Sequence, residues 1–348
     1  MKATSVSSAG LSNAMRYSQM RMQVDLVKAQ KELDTGRVAD LGLALGARTA
    51  QSVTFARDLD RLKTIVDSNG LVAARLTSTQ DALGQLSSQA QTLLSSLMSN
   101  TSGDLTNTVT GDSGTAALQA LTSLLNTSIN GEYLFAGTNT DVKPIGDFSA
   151  PGSPAKAAFD ASFLAYFGFP QDDPAAADIS AADMDDFLTT EIEPQFLDSG
   201  WANWSSATDQ SIVSRIALNE TTETSVSANN DGVRKLAMAA TIVSQLMSGS
   251  ISAQARQTVV DRATTLASES IGNLSQTMAQ TGIVQQRVSD ANTRMNTQID
   301  LFTRHIGDLE GVDPYEAMNR VNELTTHIQT SFALTARIQQ LSLLNFLT

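Results

Sequence analysis

Few residues of this 348-residue chain could take part in chemistry, and their spacing does not bring them together. The absence of cysteine excludes a disulfide framework, thiolate metal ligands and thiol catalysis. The two histidines, His305 and His327, lie 22 positions apart and lack the spacing of a metal-binding helix. We interpret both as ordinary surface histidines on helices, and we predict no metal site and no cofactor.

The sequence Gly-Asp-Ser-Gly at 111–114 superficially resembles the turn that presents a serine nucleophile. It lies in a polar stretch, 100–114, that we predict to be a loop followed by a helix over 115–130. No strands flank it and no motif places a histidine beside it. We therefore predict no catalytic residue and no enzymatic activity.

The densest acidic cluster does not have the pattern of a calcium loop. Its members are Asp183, Asp185, Asp186 and Glu191. A calcium-binding loop that began at Asp183 would need glycine at its sixth position, where this chain has Leu188. We interpret the cluster as a solvated acidic face.

Residues 141–231 differ in composition from the rest of the chain. They hold six of the seven prolines, both tryptophans, and 16 acidic against 3 basic residues, whereas the remainder has 20 of each. Such an acidic segment repels phosphate, so we expect no nucleic-acid partner. The prolines interrupt long helices, and β-branched residues over Ser211–Val226 predict one or two strands. We expect a small α+β or mostly-β inserted domain, with Trp201 and Trp204 in its core or, alternatively, exposed towards a neighbouring subunit.

The two arms that enclose this insert have helical periodicity. Over 50–99, apolar residues follow an alternating four-and-three spacing that indicates a coiled-coil seam, and helical sequence resumes from Gly232 to about 310. Three glycines within 34–46 predict a break after a first helix over 11–35. Asp313 and Pro314 predict the start of a last helix, with Glu316 completing a capping box. The fold class is therefore mainly α, a long antiparallel helical rod with a terminal coiled coil.

The predicted first helix carries one apolar stripe at coiled-coil spacing, and the predicted last helix carries two. We propose these stripes as candidates for subunit-interface contacts, because short amphipathic helices at chain ends are marginally stable alone. The candidates are Met15, Met22, Leu26, Leu33, Val321, Leu324, Ile328, Leu334, Ile338 and Leu341. Gln19 interrupts the first stripe.

Neither a membrane span nor a leader is expected. No run approaches the roughly 18 apolar residues that a spanning helix requires. The N-terminal sequence MKATSVSSAGLSNAM lacks the apolar core of a cleavable signal peptide.

Two segments carry a resemblance to a known family. The closing segment SFALTARIQQLSLLNFL (331–347) and the segment GEYLFAGT (131–138), in which Tyr133–Phe135 are predicted to form a strand, resemble the flagellin superfamily. Within it they are most similar to hook–filament junction proteins of the flagellar hook-associated protein 3 type. Members often carry a Ser-Asp-Asp-Pro-like turn after the glycine that ends the first helix. Here Gly36 is followed by RVADLGLALGARTA, which leaves the geometry of that bend open.

The resemblance implies a domain organisation. It implies an inner terminal coiled-coil domain of 1–46 and 285–348, a helical rod domain of 47–140 and 232–284, and the acidic outer domain of 141–231.

The resemblance also implies a structural subunit that joins hook to filament by helical self-assembly. The expected partners are further copies in a ring, the neighbouring hook-associated protein, flagellin and an export chaperone. The expected location is extracellular, in the flagellum, after type III export. Two alternatives stay open, namely a flagellin filament subunit, and a helical stalk that displays an adhesive or enzymatic insert.

Overall fold

A computed structural model describes residues 8–99, 104–247 and 249–347, with side chains from Asn13 onward apart from 100–106, 248 and 338–348. About three quarters of the chain is helical. The ten α-helices of the described chain are α1 (Ser8–Thr35), α2 (Leu41–Leu45), α3 (Thr49–Met98), α4 (Asp104–Leu125), α5 (Pro154–Phe167), α6 (Ala181–Phe187), α7 (Glu193–Leu197), α8 (Asp231–Leu246), α9 (Ala253–Glu310) and α10 (Pro314–Leu347).

The strands form two small antiparallel hairpins. The first hairpin pairs β1 (Ser128–Ile129) with β2 (Glu132–Tyr133), and the second pairs β3 (Val213–Ala217) with β4 (Glu220–Glu223). Asn130 and Gly131 connect β1 to β2, and both have positive φ, as a two-residue hairpin turn requires. The mainly α prediction is confirmed, and the inserted segment is α+β rather than mostly β.

The chain divides into two compact units. Unit 1 comprises 1–64 and 295–348, and unit 2 comprises 65–294, so the boundary falls within α3 and α9. The division into inner, rod and outer domains at 46, 140, 231 and 284 stays a prediction.

Unit 2 has one continuous hydrophobic core to which the insert contributes. Buried phenylalanines and tryptophans of 141–231 belong to the same cluster as apolar residues of α3, α4, α8 and α9. Phe163 contacts Phe187 edge to face at 5.5 Å between ring centroids, and Trp204 stacks on Phe148 at 5.1 Å. Trp201 and Trp204 are both buried, which confirms them as core residues. The predicted strands within 211–226 are confirmed as the β3–β4 hairpin.

The prediction of a polar loop over 100–114 is wrong from Asp104 onward, because α4 already begins there and it ends at Leu125. Packing against α8 explains the helix. A Cβ at Gly114 would lie 2.7 Å from the backbone nitrogen of Ser244 and 2.8 Å from the carbonyl oxygen of Ala240. The glycine therefore allows the two helix backbones to approach closely, and tertiary packing outweighs its low helix propensity.

Helical structure after Gly232 is also not continuous, contrary to the prediction. Helix α8 ends at Leu246 and α9 begins at Ala253. The hydroxyl of Ser252 accepts a bond from the amide of Ala255 at 3.0 Å, as an N-cap does. The predicted strand Tyr133–Phe135 is shorter than expected, because β2 ends at Tyr133 and the next residues are buried in irregular structure.

Candidate assembly surface

Helices α1 and α10 of unit 1 pack against each other in antiparallel orientation. Near one end, the side-chain amide of Gln19 donates to the hydroxyls of Ser331 and Thr335 at 3.3 and 3.1 Å. Near the other end, the guanidinium of Arg320 lies 3.2 Å from the carboxylate of Glu32. Residue numbers rise along α1 as they fall along α10, so the contact is antiparallel.

Seven of the ten predicted interface residues lie along this intramolecular seam. They are half-buried, apart from the more deeply buried Ile328, and comprise Met15, Met22, Leu26, Leu33, Val321, Leu324 and Ile328. Ala29 is fully buried among them. Gln19, which interrupts the sequence stripe, forms a polar layer across the seam. Contact of these residues with another subunit stays a prediction.

The last three predicted residues are placed differently. Leu334 is 50% exposed and lies roughly 100° around α10 from the seam. The side chains of Ile338 and Leu341 lie outside the described residues. Leu334, from the second predicted stripe, therefore lies on a different face of α10 from the first predicted stripe, which faces the seam.

Helix α1 carries a second apolar stripe that was not predicted from the sequence. Tyr17, Met20, Val24 and Val27 are 54–79% exposed and follow a three, four, three spacing. At about 100° per residue, they lie on the face of α1 opposite the seam. A shallow groove of about 410 Å³ runs along Met20, Val24 and Val27. We call Tyr17, Met20, Val24 and Val27 the outer stripe. Its residues form a second heptad series in α1, with Tyr17 and Val24 seven positions apart and Met20 and Val27 likewise.

The segment between α1 and α2 and the segment between α9 and α10 are hydrogen-bonded to each other. The amide of Val38 donates to the carbonyl of Glu310 at 2.8 Å, and the amide of Val312 donates to the carbonyl of Gly36 at 3.0 Å. Gly36 has a φ of +66°, which a residue with a side chain seldom adopts. The sequence after Gly36 therefore forms a short antiparallel bridge to the end of α9.

The buried carboxylate of Glu310 holds this junction together. It accepts a hydrogen bond from the hydroxyl of Ser52 and lies 3.2 Å from the guanidinium of Arg37. A buried carboxylate needs such partners, because an unpaired charge is costly to remove from water. Asp313 caps α10 through the amide of Tyr315 at 2.8 Å, as predicted. Glu316 bonds Arg320 at 3.0 Å instead of completing a capping box.

The remaining sequence candidates form no chemical site in the described residues. His305 and His327 are exposed on α9 and α10, and His305 stacks on Phe55 at 5.6 Å. Ser113 lies inside α4, where its hydroxyl donates to the carbonyl of Val109. Within the described part of the chain, no group of three or more acidic or histidine side chains could hold a metal ion. None of the described helices is long and apolar enough to cross a membrane.

The acidic cluster around α6 is solvent-exposed, as predicted, and it raises the pKa of one tyrosine. The hydroxyl of Tyr166 donates to the carboxylate of Asp186 at 2.5 Å. That hydrogen bond raises the pKa of Tyr166 to about 12, helped by desolvation and by the charges of Asp186, Asp183 and Glu191. Negative neighbours oppose formation of a tyrosinate. The cluster therefore keeps the phenol protonated to a higher pH than usual.

Comparisons with known proteins agree with this architecture. Residues 6–140 match the bacterial flagellin N-terminal helical region, and residues 264–347 match the bacterial flagellin C-terminal helical region. No curated protein sequence matches the chain.

Solved structures show the same fold. One is a protein from Vibrio parahaemolyticus whose assignment as a flagellar hook-associated protein is itself provisional. It superposes with a TM-score of 0.52 at 10% identity, over 76% of this chain and 97% of that one. A structural match at 10% sequence identity shows a shared fold alone. The family is shown by the two matches to flagellin helical regions, which cover the two helical arms. The chain therefore belongs to the flagellin superfamily as a structural protein of the bacterial flagellum.

Proposed function

We propose that this chain forms the junction between the flagellar hook and its filament by helical self-assembly. The observation that carries the proposal is that α1 is apolar on two opposite faces. One face is covered by α10 of the same chain, and the other carries the exposed outer stripe. A helix with two apolar faces is typical of an element that is packed on both sides in its working state.

Burial of the outer stripe would supply the energy of assembly. Full burial of a valine or methionine side chain contributes about 1.5–3 kcal/mol. The four side chains together could therefore offset much of the entropy lost on association, which is estimated at 4–15 kcal/mol. Exposed apolar side chains that follow one line along a helix mark an interaction surface more strongly than scattered ones.

The partners follow from this role. We propose a ring of copies of this chain, bounded by a neighbouring hook-associated protein on one side and flagellin on the other. An export chaperone would cover the C-terminal helix before assembly, and export would use the flagellum's own type III apparatus. The acidic segment 141–231 would then face the medium outside the bacterium.

Labelled antibody on intact flagella tests the proposal. We expect a single band at the distal end of the hook. We also expect that deletion of the gene leaves hooks without filaments and releases flagellin into the medium. Continuous decoration of the filament would contradict the junction role and favour a filament subunit. Growth of long filaments from seeds of the purified chain would point the same way.

A further inference from the structure

We propose that Asn130, in the turn between β1 and β2, is a site of spontaneous deamidation. The chain has two Asn-Gly pairs, Asn69–Gly70 and Asn130–Gly131, and the fold treats them in opposite ways. Asn69 is fully buried within α3, whereas Asn130 and Gly131 are both exposed. The reaction needs only the chain and water, so it is independent of the proposed function.

The reaction joins the backbone nitrogen of Gly131 to Cγ of Asn130. A C–N bond closes an imide ring, the bond from Cγ to the side-chain nitrogen breaks, and that nitrogen leaves as ammonia with the proton from Gly131. Water then opens the ring. Cleavage at Cγ restores the original backbone and leaves aspartate, whereas cleavage at the main-chain carbonyl carbon leaves isoaspartate, in which the backbone runs through the former side chain. Glycine favours the attack because it has no Cβ to shield its nitrogen.

The β1–β2 turn leaves both reacting groups free. Within the part of the chain that the structure describes, the side-chain amide of Asn130 and the backbone nitrogen of Gly131 make no hydrogen bond. A Cβ added at Gly131 would meet no atom within 4 Å, so the space around this residue is open. The hairpin has only two residues in each strand, and so short a hairpin opens readily. Such opening permits the backbone rotation that the attack requires.

The same dipeptide in α3 is held in place. The side-chain nitrogen of Asn69 donates to the carbonyl of Ile216 at 2.8 Å and to Oδ1 of Asn292 at 2.7 Å. Gly70 lies inside the 50-residue helix α3, where helical geometry directs its amide towards the preceding turn and away from the side chain of Asn69. Attack there would first require local unfolding of a core helix. Asn69 is therefore an internal control for Asn130.

Deamidation would change both the charge and the backbone of the hairpin. Either product adds a negative charge near Glu132, which already pairs with Arg75 at 2.8 Å, and Arg75 and Asn130 line the same cavity of about 250 Å³. Isoaspartate also adds a methylene group to the backbone of a two-residue turn, whose geometry sets the register of the strands. We therefore expect isoaspartate to open the hairpin and to release the amide of Leu134, which donates to the carbonyl of Thr127 at 3.0 Å.

Peptide mapping of the aged protein tests the site. The purified full chain would be incubated at mildly alkaline pH, where the amide nitrogen of Gly131 loses its proton more readily. It would then be digested at mildly acidic pH and analysed by mass spectrometry for the exchange of an amide for an acid. We expect conversion at Asn130 to be at least roughly tenfold faster than at Asn69, because only Asn69 requires a helix to unfold. Labelling by an isoaspartate-specific methyltransferase would distinguish isoaspartate from aspartate.

Two controls separate the effect of the fold from that of the sequence. In guanidinium chloride both Asn-Gly pairs should convert at similar rates, because neither is then protected. The variant Asn130→Gly keeps residue types that a two-residue hairpin turn accepts, so it should fold. It should accumulate far less of the acidic form on ion-exchange chromatography than the native chain does.

Three results would overturn the proposal. Conversion at Asn130 that is no faster than at Asn69 in the folded chain is one, and conversion of Asn130 only in denaturant is another. Accumulation of the acidic form by Asn130→Gly at the native rate would place the reaction elsewhere. Amide hydrogen exchange at Leu134 tests the structural consequence. Its protection should fall in the isoaspartate form, and unchanged protection would show that the hairpin tolerates the longer backbone.

Discussion

The two compact units bury their apolar side chains to very different degrees. Unit 2 encloses most of the phenylalanines and both tryptophans in a single core. Unit 1 buries few hydrophobic residues among those described, namely Ala29, Leu45, Leu62, Met295, Ile306, Ala317 and Ile328. Unit 2 can therefore stabilise itself, whereas unit 1 leaves the outer stripe exposed. If that stripe is an assembly contact, as we propose, stability and assembly belong to different parts of one chain.

The largest expected effect is the loss of an aromatic ring from the core of unit 2. Phe163 is fully buried and contacts Phe167 and Phe187. Phe163→Ala should reduce the free energy of unfolding by about 3–5 kcal/mol, because it removes buried area and leaves a cavity. Phe332→Ala in unit 1 should change it by less than about 0.5 kcal/mol, since that ring is exposed. Denaturant titration of both variants checks the contrast, and equal losses would contradict it.

A smaller effect is expected where α4 meets α8. Gly114→Ala should lower the free energy of unfolding by about 1–3 kcal/mol, because its methyl group would overlap backbone atoms of α8. Gly84→Ala in α3 has no atom within 4 Å of the added carbon, so it should raise stability by up to about 1 kcal/mol. Thermal unfolding of the pair measures both. A stabilising Gly114→Ala would show that the helices do not approach as closely as described.

The junction of unit 1 should be sensitive to the charge on Glu310. Glu310→Gln replaces a buried carboxylate that accepts from Ser52 and pairs with Arg37, so it should destabilise by about 1.5–3 kcal/mol. Glu316→Gln breaks an exposed pair with Arg320 and should cost about 0–1 kcal/mol. Amide hydrogen exchange at Val38 and Val312 reports the junction directly. Unchanged protection in Glu310→Gln would argue against a role for this carboxylate.

The smallest expected effect concerns Tyr166 in unit 2. Its pKa of about 12 lies above the ordinary value of 10.0, so the folded state favours the protonated phenol. The corresponding stabilisation is complete below pH 10 and is lost as pH rises through about 12. Asp186→Asn removes the hydrogen-bond acceptor charge and should bring the pKa back towards 10. Ultraviolet titration of tyrosinate checks the shift, and an unchanged curve would show that Asp186 is not its cause.

Local signals predicted much of the fold. The continuous heptad series over 50–99 predicted α3, the glycines after residue 34 predicted the break, and Asp313 with Pro314 predicted the start of α10. Each signal lies within a few turns of the element that it specifies. The flagellin resemblance of 131–138 and 331–347 lies within the two matched regions.

Features set by distant residues could not be predicted in the same way. The polar, glycine-containing start of α4 is helical because α8, more than a hundred residues later, packs against Gly114. The core of unit 2 combines rings of the insert with apolar residues of α3, α4, α8 and α9, which lie on both sides of the insert in the sequence. The exposure of the outer stripe could not be predicted for another reason. α1 carries two heptad series, and periodicity alone does not tell which one faces its own chain.

The hydrogen bond between Val312 and Gly36 limits where α1 and α10 can gain or lose residues. The junction fixes one end of the α1–α10 seam, and the bonds of Gln19 to Ser331 and Thr335 fix a second point along it. One residue added to α1 between Gln19 and Gly36 would rotate the part of the helix on one side of the insertion by about 100° relative to the other part. The seam residues of that part would then no longer face α10. A matching change in α10 would be needed to restore the seam. The two arms therefore constrain each other's length, residue by residue.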